Sequence, residues 1–455
     1  MAPSTGPAGV IANLKSRWQR AERDIRHRLT WSRIYRMTSY ARSALWIVPF
    51  LAIIAVFITV PVLRVLDSWL QWDLVGLDVD GARSLFQTVI TLTLSFLVFT
   101  FGSLLVAIQV ASGQMTPRVI ATTLLRDNTV KYTVGLFVFA LLLSVRALVR
   151  TEETVNQFAL LSAAILGIAC LMAFLYLIDY AARLLRPGSI VWRVGESGLS
   201  VIDAVYPDPC TGPEPGERAT RNLGSPDRIV LHEGRSAVVL AVNLNLLAIE
   251  ARRANCVIEF ASRVGDFIAV GEPLFRLYGD AARIDERRLR ATVATGPERT
   301  MEQDPMFSFR ILLDIALKAL SKAINDPTTA VLAIDQLHRL LRALGKRALA
   351  DEEIFSGNGP LRVIFRTPNW EDYVRLTFTE LRLNGAESMQ VARRLRAMIE
   401  NLLQSLPEHR HPALHRELDL LERSLPKLYA LPEDLALAGV ADSQGLGGSD
   451  RSDAR

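Results

Sequence analysis

Four long apolar segments constrain the fold of this chain more than any other feature of its sequence. They cover residues 44–63, 86–111, 132–149 and 155–178. A helix needs about 20 apolar residues to cross the hydrocarbon core of a bilayer, and each segment reaches or approaches that length. Half of the 455 residues are hydrophobic and only 22% are charged, which is unusual for a soluble domain. The sequence therefore predicts a transmembrane domain of four helices over residues 44–180.

The charge of the connecting loops predicts how these helices are oriented. The first connection is acidic and the second is basic. The first carries Asp67, Asp73, Asp78 and Asp80, and the second carries Arg118, Arg126 and Lys131. Because basic loops remain on the cytoplasmic side of a membrane, this alternation predicts that both termini are cytoplasmic. All of the chain after the fourth helix is then cytosolic.

The N-terminal segment, residues 1–43, is strongly basic. It holds nine lysines and arginines against Glu22 and Asp24, a local charge of +7 within a chain whose net charge is +5. Apolar residues recur at helical spacing among those charges, namely Ile11, Leu14, Trp18, Ala21, Ile25 and Leu29. This pattern predicts an amphipathic cytosolic segment that lies on the membrane and binds anionic lipid. A solvated tail is the alternative.

Composition divides the rest of the chain into four parts. Residues 181–227 are predicted to be a linker and residues 431–455 a disordered tail, because both are rich in Gly, Pro, Ser or Asp. Residues 228–280 alternate apolar and polar side chains around Gly265 and Gly271, as in the half-barrel of biotinyl and lipoyl carrier domains. Residues 281–430 show helical periodicity. The predicted fold is a multi-pass α-helical membrane domain plus a cytosolic α+β region, with a small β half-barrel followed by helices.

The segment "ALSKAINDPTTAVLAI" (319–334) interrupts two amphipathic helices with Asn325, Asp326 and Pro327. Aspartate at an N-cap accepts hydrogen bonds from free backbone amides, and proline at the first helical position has no donor to lose. Asparagine tolerates the left-handed backbone angles common at helix ends. These properties predict a structural corner. A catalytic site is the alternative, but Asp314 and His338 nearby form no recognised catalytic constellation with it.

The corner lies within the stretch "RTMEQDPMFSFRILLDIALKALSKAINDPTTAVLAIDQL". This stretch, together with "VAIQVASGQMTPRVIATTLLRDN", "VRAL" and "VGDFIAVGEPL", resembles an uncharacterised bacterial family of predicted membrane proteins, domain of unknown function 2254. The resemblance covers about residues 42–425, and its signature includes Asn325, Asp326, Pro327 and Thr328. Lys322 departs from the family pattern, which favours proline there. The resemblance implies a multi-pass protein of the bacterial inner membrane with a large cytosolic region, and it implies no reaction.

The second apolar segment carries a polar stripe. At 100° per residue, one face of this helix collects Ser84, Thr88, Thr91, Ser95, Gly102, Gln109 and Gly113. Polar groups in hydrocarbon seek protein or water rather than lipid. The stripe therefore predicts either close helix packing through small residues or a polar pathway, at the axis of one bundle or of an oligomer. Arg146 in the third segment either extends to the membrane interface or provides a countercharge for an anion beside the stripe.

Other motifs give little support for catalysis or for bound cofactors. His411 and His415 lie one helical turn apart, but without a third ligand they indicate an exposed helix start rather than a metal site. The sequence contains no phosphate-binding loop, dinucleotide fingerprint or nucleophile elbow. Basic and aromatic residues are not interleaved, which argues against nucleic-acid binding. We therefore expect a non-enzymatic protein without catalytic, cofactor-binding or metal-binding residues.

Two functions from different classes fit this sequence. The first is a channel-like or transporter-like membrane protein that uses the polar stripe. The second is a membrane-anchored scaffold or sensor whose cytosolic domain binds a partner. An enzyme that uses the cytosolic helices is a third and weaker hypothesis. A homo-oligomer is expected in either leading case, with the small residues Ala159, Ala163 and Gly167 of the fourth helix as a contact surface.

Overall fold

The computed structural model describes residues 31–70, 78–114, 127–151, 157–184, 186–210, 212, 223–349, 353–355 and 359–447. Four long apolar helices form a bundle: α2 (Ile47–Leu70), α3 (Val79–Gln114), α4 (Asn128–Leu148) and α5 (Gln157–Leu184). A shorter helix, α1 (Trp31–Ser43), precedes them. All four bundle helices are long and apolar enough to cross a membrane, as the sequence predicts. The basic loop with Arg118 and Arg126, and residues 1–30 of the basic segment, lie outside the described residues.

Consecutive helices of the bundle run in opposite directions, so the bundle has two distinct ends. At the distal end Phe86 of α3 packs against Leu160 and Ala163 of α5. Phe96, Phe137 and Cys170 fill the middle. At the other end, which we call proximal, the start of α4 meets the end of α5 through buried apolar side chains. The chain leaves the bundle at this proximal end, after α5, and continues into the C-terminal region.

The first element of the C-terminal region is a helix, α6 (Pro187–Val205). The prediction of a linker over 181–227 is therefore wrong for these residues, while 213–222 lie outside the described part. Ile190, Val191, Val194 and Ile202 recur at helical spacing on one face of α6, and all four are buried in the largest hydrophobic core of the molecule. Burial of that apolar face stabilises a helix even though Pro187, Gly188, Gly195 and Gly198 lower its intrinsic propensity.

Two sheets follow α6, a mixed sheet of five strands and an antiparallel sheet of three strands. Their strands are β1 (Arg228–Leu231), β2 (Ala237–Val242), β3 (Cys256–Phe260), β4 (Phe267–Ile268), β5 (Pro273–Gly279), β6 (Val293–Gly296), β7 (Glu353–Phe355) and β8 (Leu361–Ile364). The five-stranded sheet has the order β1-β5-β3-β8-β7, and the three-stranded sheet has the order β4-β2-β6. Two helices, α7 (Leu244–Ala254) and α8 (Glu286–Arg290), lie between strands in sequence. Gly265 and Gly271 adopt positive φ in the predicted turns.

This arrangement differs from the predicted half-barrel of residues 228–280. Strand β8 comes from 80 or more residues later in the chain and pairs in parallel with β3, and β6 completes the smaller sheet. Long-range pairing of this kind leaves no local signal in the sequence. Helix α1 packs beside β6, where Trp31 and Tyr35 contact a small apolar cluster that includes Leu240 and Ala294.

Helices dominate the chain from Pro305, as predicted. They are α9 (Pro305–Ala319), α10 (Pro327–Leu344), α11 (Trp370–Gly385), α12 (Met389–Ser405), α13 (His411–Leu428) and α14 (Pro432–Ala438). Together with α6 they enclose one large apolar core. The predicted disordered tail is wrong for residues 432–447, because α14 and the chain after it fold back onto α12. Arg393 of α12 is buried and donates hydrogen bonds to the carbonyls of Val440 and Gly447. Residues 448–455 lie outside the described part.

Candidate functional site

The polar stripe of α3 lies on the outer surface of the bundle. Thr88, Thr91, Ser95, Gly102 and Gln109 are all exposed, and a Cβ added at Gly102 would meet no atom within 4 Å. The opposite face of α3 holds the buried side chains that form the core of the bundle. A pathway along the axis of one bundle, which is one of the sequence-based alternatives, is therefore ruled out for this stripe. The stripe faces whatever surrounds the bundle.

The hydroxyl groups of the stripe are satisfied within α3 itself. Thr88, Thr91 and Ser95 each donate to the backbone carbonyl four residues earlier, at 2.8–2.9 Å. Such bonds let serine and threonine tolerate an apolar environment, because the donor is already paired. Each hydroxyl oxygen still has a free lone pair that can accept a hydrogen bond. These three residues are therefore compatible with both helix packing and contact with water.

Gln87 extends the stripe and was missed by the sequence analysis, although it lies about 60° from Ser84 on the same face. Its side chain is exposed, and so is that of Gln109. Neither side-chain amide has a hydrogen-bond partner among the described residues. An amide carries two donors and one carbonyl acceptor, and α3 cannot satisfy all of them with its own backbone. Gln109 lies beyond the span Val79–Val106 and Gln87 follows Phe86 at the distal end, so these two amides mark the two ends of the stripe.

Apolar side chains interrupt the stripe in its proximal half. Val98 and Leu105 fall on the same face as Ser95 and Gly102, and they are 67% and 61% exposed. The stripe is thus polar from Ser84 to Ser95, then largely apolar, and polar again at Gln109. The positions of Val98 and Leu105 on this face can be read from the sequence, but the predicted stripe was defined by its polar and small residues only. Apolar constrictions of this type can close a hydrated pathway by excluding water.

Arg146 does not lie beside the stripe. It lines a small cavity at the distal end of the bundle together with Phe86, which belongs to the buried face of α3 opposite the stripe. The suggestion that Arg146 is a countercharge for an anion beside the stripe is therefore wrong. Its place at the last turn of α4 agrees with the alternative, in which the side chain extends to the interface.

The small residues of α5 are used inside the bundle. Ala159 and Ala163 are buried against Phe86 and Ala82 of α3, and a Cβ added at Gly167 would lie 3.0 Å from a methyl group of Val89. Small side chains at four-residue spacing allow two helices to approach closely. The sequence predicted that these residues form a contact surface between copies, but they pack against α3 of the same chain. This face is not available to a second copy.

A polar cluster joins the proximal end of the bundle to the C-terminal region. Asp127 precedes α4, Tyr180 lies near the end of α5, and Arg193 lies on α6. Arg193 donates to the Asp127 carboxylate at 2.8 Å and to the Tyr180 hydroxyl at 2.9 Å, and Tyr180 donates to the same carboxylate. Asp127 also accepts from the backbone N–H of Thr129 and caps α4. We call these three side chains the proximal triad.

The charge state of the proximal triad follows from its hydrogen bonds. Burial raises the pKa of Asp127, but donors from Tyr180 and Arg193 more than offset it and hold the pKa below its ordinary value. Burial lowers the pKa of Arg193, and the contacts with Asp127 and Tyr180 outweigh that effect in the opposite direction. The cluster is thus a charged pair at neutral pH. The Asp127 side chain is 5% exposed, so loss of Arg193 would leave a buried carboxylate without its charged partner.

The other faces of α6 bind the helical part of the C-terminal region. A Cβ at Gly195 would lie 2.3 Å from the Gln336 amide oxygen of α10, and one at Gly198 would lie 3.0 Å from Leu340. Arg339 of α10 stacks over the Trp192 ring at 4.6 Å from its centroid. Helix α6 therefore contacts both the bundle, through the proximal triad, and α10. No short motif in the sequence predicts these contacts of α6, because Asp127, Tyr180 and α10 belong to separate segments of the chain.

The family-signature corner has the predicted capping geometry. Asn325 adopts a left-handed conformation with φ +49°, and Asp326 accepts the backbone N–H of Thr329 at 3.0 Å and its hydroxyl at 2.5 Å. Pro327 is the first residue of α10 and Thr328 follows it. Helix α9 ends earlier than predicted, at Ala319, and a short turn separates it from Asn325. The corner orients α10 against α6.

The histidines and acidic residues in the described part of the chain form no metal-binding cluster. That part contains no group of three or more His, Cys, Asp or Glu side chains that could hold a metal ion. His411 and His415 start α13, with ring centroids 6.1 Å apart, and His411 bonds to the carbonyl of Leu406. A cavity of about 390 Å³ lies between the β-sheet region and α11, lined by Arg263, Met306, Asp372, Arg375 and Glu380 among others.

Four candidate membrane-spanning helices, joined to a C-terminal region of mixed sheets and helices, define the class of this molecule as a membrane protein. The chain belongs to the family described as "Predicted membrane protein (DUF2254)", whose sequence profile matches residues 42–401. This confirms the family resemblance that the corner and the membrane segments indicated. The function of the family is unknown.

Mycobacterial proteins are among the relatives of this chain. Uncharacterized protein Rv1290c of Mycobacterium tuberculosis and Uncharacterized protein Mb1321c of Mycobacterium bovis are each 24% identical to it over 372 residues. The alignments cover 78% of this chain and 70% of each relative. No solved structure matches the chain.

Proposed function

We propose that the protein is a non-enzymatic, channel-like or transporter-like homo-oligomer of the bacterial cell membrane, in which α3 of each copy lines a shared polar pathway. The observation that carries this proposal is the outward-facing stripe of α3. Exposed residues of α2 and α5 are mainly large and apolar, as lipid contact requires. On α3, one strip of the outer surface carries the exposed hydroxyls of Thr88, Thr91 and Ser95. Exposed apolar side chains such as Leu94 and Phe99 lie on both sides of that strip.

The energetic argument concerns the hydroxyls of the stripe. Gln109 lies at the charged proximal end, because its neighbour Ile108 packs with Tyr180 and Leu184, whereas Thr88, Thr91 and Ser95 lie along the part of α3 that is long enough to cross a membrane. The hydrocarbon of a bilayer cannot donate to the free lone pairs of these hydroxyls. A neighbouring copy or enclosed water would supply those donors. The apolar residues Val98 and Leu105 would then form a constriction in the pathway.

The orientation proposed for this assembly places the distal end outside and the C-terminal region in the cytosol, following the acidic and basic loops. Single cysteines in place of Ser68 and Ser236, which are both exposed, distinguish the two sides. Ser68→Cys should react with a membrane-impermeant thiol reagent in intact cells. Ser236→Cys should react only after permeabilisation, and its reaction in intact cells would disprove this orientation.

Ion flux through reconstituted protein tests the pathway itself. We expect wild-type protein in liposomes to conduct, and we expect Ser95→Leu to reduce flux because it places an apolar side chain on the stripe. The matched control is Ile168→Leu on α5, a conservative change on an exposed apolar surface, which should leave flux unchanged. Absence of flux in the wild type under all ions tried would reject the proposal.

A second candidate function is a membrane-anchored scaffold or sensor whose cytosolic region binds a partner. The observation in its favour is the 390 Å³ cavity beside α11. Arg263 and Arg375 both contact Asp372 there, at 3.7 and 3.1 Å, so the charges at its rim are already paired. A partner would have to displace those ion pairs. Binding of a cytosolic protein that Arg375→Glu abolishes, in a protein without flux, would favour this alternative.

A further inference from the structure

Three arginines meet at a cavity at the distal end of the bundle. Arg64 comes from α2, Arg146 from α4, and Arg150 from the turn after α4. The cavity has a volume of about 40 Å³, and Phe86 and Leu143 form part of its apolar wall. One water molecule needs about 10–15 Å³ on this measure. The space is therefore large enough for a small polar group, and all four helices of the bundle contribute to its lining.

Within the described part of the chain, these arginines have no acidic partner. Neither Arg64, Arg146 nor Arg150 forms a side-chain hydrogen bond or an ion pair there, and no carboxylate lines the cavity. Asp67 lies one helical turn after Arg64, but its carboxylate caps α5 by accepting the backbone N–H groups of Gln157 and Phe158. All three side chains are exposed at the surface, so water weakens the repulsion between them. An anion placed in the cavity would lie beside all three guanidinium groups.

The chemistry of guanidinium groups indicates which anion. Arginine presents several N–H donors in a planar fork that matches the oxygens of a phosphate, and it often binds phosphate with two parallel hydrogen bonds. Phe86 and Leu143 close the inner side of the cavity, and the arginines are exposed at its outer side. Arg83, at the same end of the bundle, lies outside the cavity and pairs with Asp80 at 3.9 Å. At this end of the bundle, the three arginines without an ion pair among the described residues are those that line the cavity.

We propose that the cavity bounded by Arg64, Arg146 and Arg150 is a binding site for a phosphate group, carried either by the headgroup of an anionic phospholipid or by a soluble phosphate. Its position suits a headgroup, because the distal ends of the membrane-length helices lie where a bilayer interface would be. The site does not depend on the α3 pathway, since it lies on the opposite face of α3. It would hold the distal ends of α2 and α4 together.

The test measures ligand binding by the full-length protein in a phosphate-free detergent. Inorganic phosphate is added in one arm and phosphatidylglycerol in the other, and binding is followed by thermal stabilisation and by native mass spectrometry. We expect at least one ligand to bind the wild type, and the double variant Arg146→Gln/Arg150→Gln to bind it at least about tenfold more weakly. Arg83→Gln is the matched control and should bind as the wild type does.

The two arms distinguish the source of the phosphate. Binding of inorganic phosphate that competes with phosphatidylglycerol indicates a site for the phosphate group itself, whereas retention of phosphatidylglycerol alone indicates a lipid site; both outcomes support the proposal. If the double variant fails to fold, the single variant Arg150→Gln is measured in its place. Absence of binding in both arms, or equal binding by the wild type and the arginine variants, would overturn the proposal.

Discussion

Asp326 uses its two carboxylate oxygens for different purposes. One oxygen accepts the backbone N–H of Thr329 and caps α10, while the other accepts the Thr329 hydroxyl. Asparagine retains an oxygen for the backbone N–H, whereas alanine retains none. At the scale of single residues, substitution of Asp326 by asparagine or by alanine therefore distinguishes the loss of the carboxylate charge from the loss of the cap.

Asp326→Ala should lower the free energy of unfolding by about 0.5–2 kcal/mol, the usual value of an N-cap. Asp326→Asn should remain close to the wild type, because asparagine caps about as well as aspartate. Chemical unfolding of the detergent-solubilised protein, followed through the helical signal, measures both. If Asp326→Asn abolished flux in a folded protein, the carboxylate would have a chemical role and the structural interpretation would be wrong.

His338 is a residue whose titration should affect stability. Burial, followed by the neighbouring Arg394 guanidinium, lowers its pKa from 6.5 to about 4. Its Nδ1 accepts from Arg394 and its Nε2 faces Asn401, while Asp335 pairs with Arg394. Between pH 6.5 and pH 4 the unfolded chain binds a proton at His338 that the folded chain does not bind. The contribution of this neutral histidine is therefore present above pH 6.5 and is lost as the pH falls toward 4.

Replacement of His338 by glutamine should consequently flatten the fall in melting temperature over that pH range. The matched control is His415→Gln, since His415 is exposed at the start of α13 and should leave the pH dependence unchanged. Melting curves of the three proteins over a series of buffers provide the comparison. Identical pH dependence in His338→Gln and the wild type would show that this histidine is not kept neutral by the fold.

At the scale of elements, α6 connects the bundle to the C-terminal region through the proximal triad. Arg193→Gln removes the charged donor from a carboxylate that is 5% exposed, although Tyr180 and the backbone of α4 still donate to it. The expected loss of stability is about 1–3 kcal/mol. Asp179→Asn is the matched control, because its ion pair with Arg183 is exposed on both sides and should contribute little.

Hydrogen exchange reports where that stability is lost. In Arg193→Gln the amides of α6 and of the first turns of α4 should exchange faster than in the wild type, while those of α12 should not change. Asp179→Asn should exchange as the wild type does in all three regions. Unchanged protection of α6 in Arg193→Gln would mean that the packing of α6 against α10 suffices without the triad.

The apolar part of the α3 stripe makes a second prediction at the scale of elements. Val98→Ser introduces a hydroxyl at the proposed constriction and should raise ion flux through reconstituted protein, because a polar side chain favours hydration of the pathway. Ile168→Ser is the matched control, since Ile168 on α5 is 66% exposed and Val98 is 67% exposed. Equal effects of the two serines would place Val98 in contact with lipid rather than with a pathway.

Several elements could be predicted from local pattern, and others could not. The four long helices and the capping of α10 follow from apolar length and from residue chemistry near each site. Strand β8 lies within residues 281–430, which the sequence predicts to be helical, and its parallel pairing with β3 joins residues about a hundred positions apart. Helix α6 was missed because its Gly and Pro content resembles a linker, whereas its stability comes from burial of Ile190 and Val194.

At the scale of the whole molecule, part of the candidate site could be predicted from local sequence and part depends on how distant segments pack. The stripe of α3 is visible in the sequence, but its outward direction depends on which face of α3 contacts α4 and α5. The arginine cavity and the proximal triad are assembled from separate helices and give no contiguous motif. The packing of the helices places the stripe on the outer surface. It also places the arginines at the distal end and brings α6 to Asp127 at the proximal end.

Thiol reactivity of Ser95→Cys in the reconstituted protein tests most directly whether the α3 stripe is hydrated. The three native cysteines are first replaced by alanine, and Ile168→Cys serves as the control on an exposed apolar face. A small, charged thiol reagent should modify Ser95→Cys, because the thiolate forms and reacts in water, and it should leave Ile168→Cys unmodified. If Ser95→Cys stays as unreactive as Ile168→Cys in a folded, inserted protein, the stripe packs against protein or lipid and the proposed pathway does not exist.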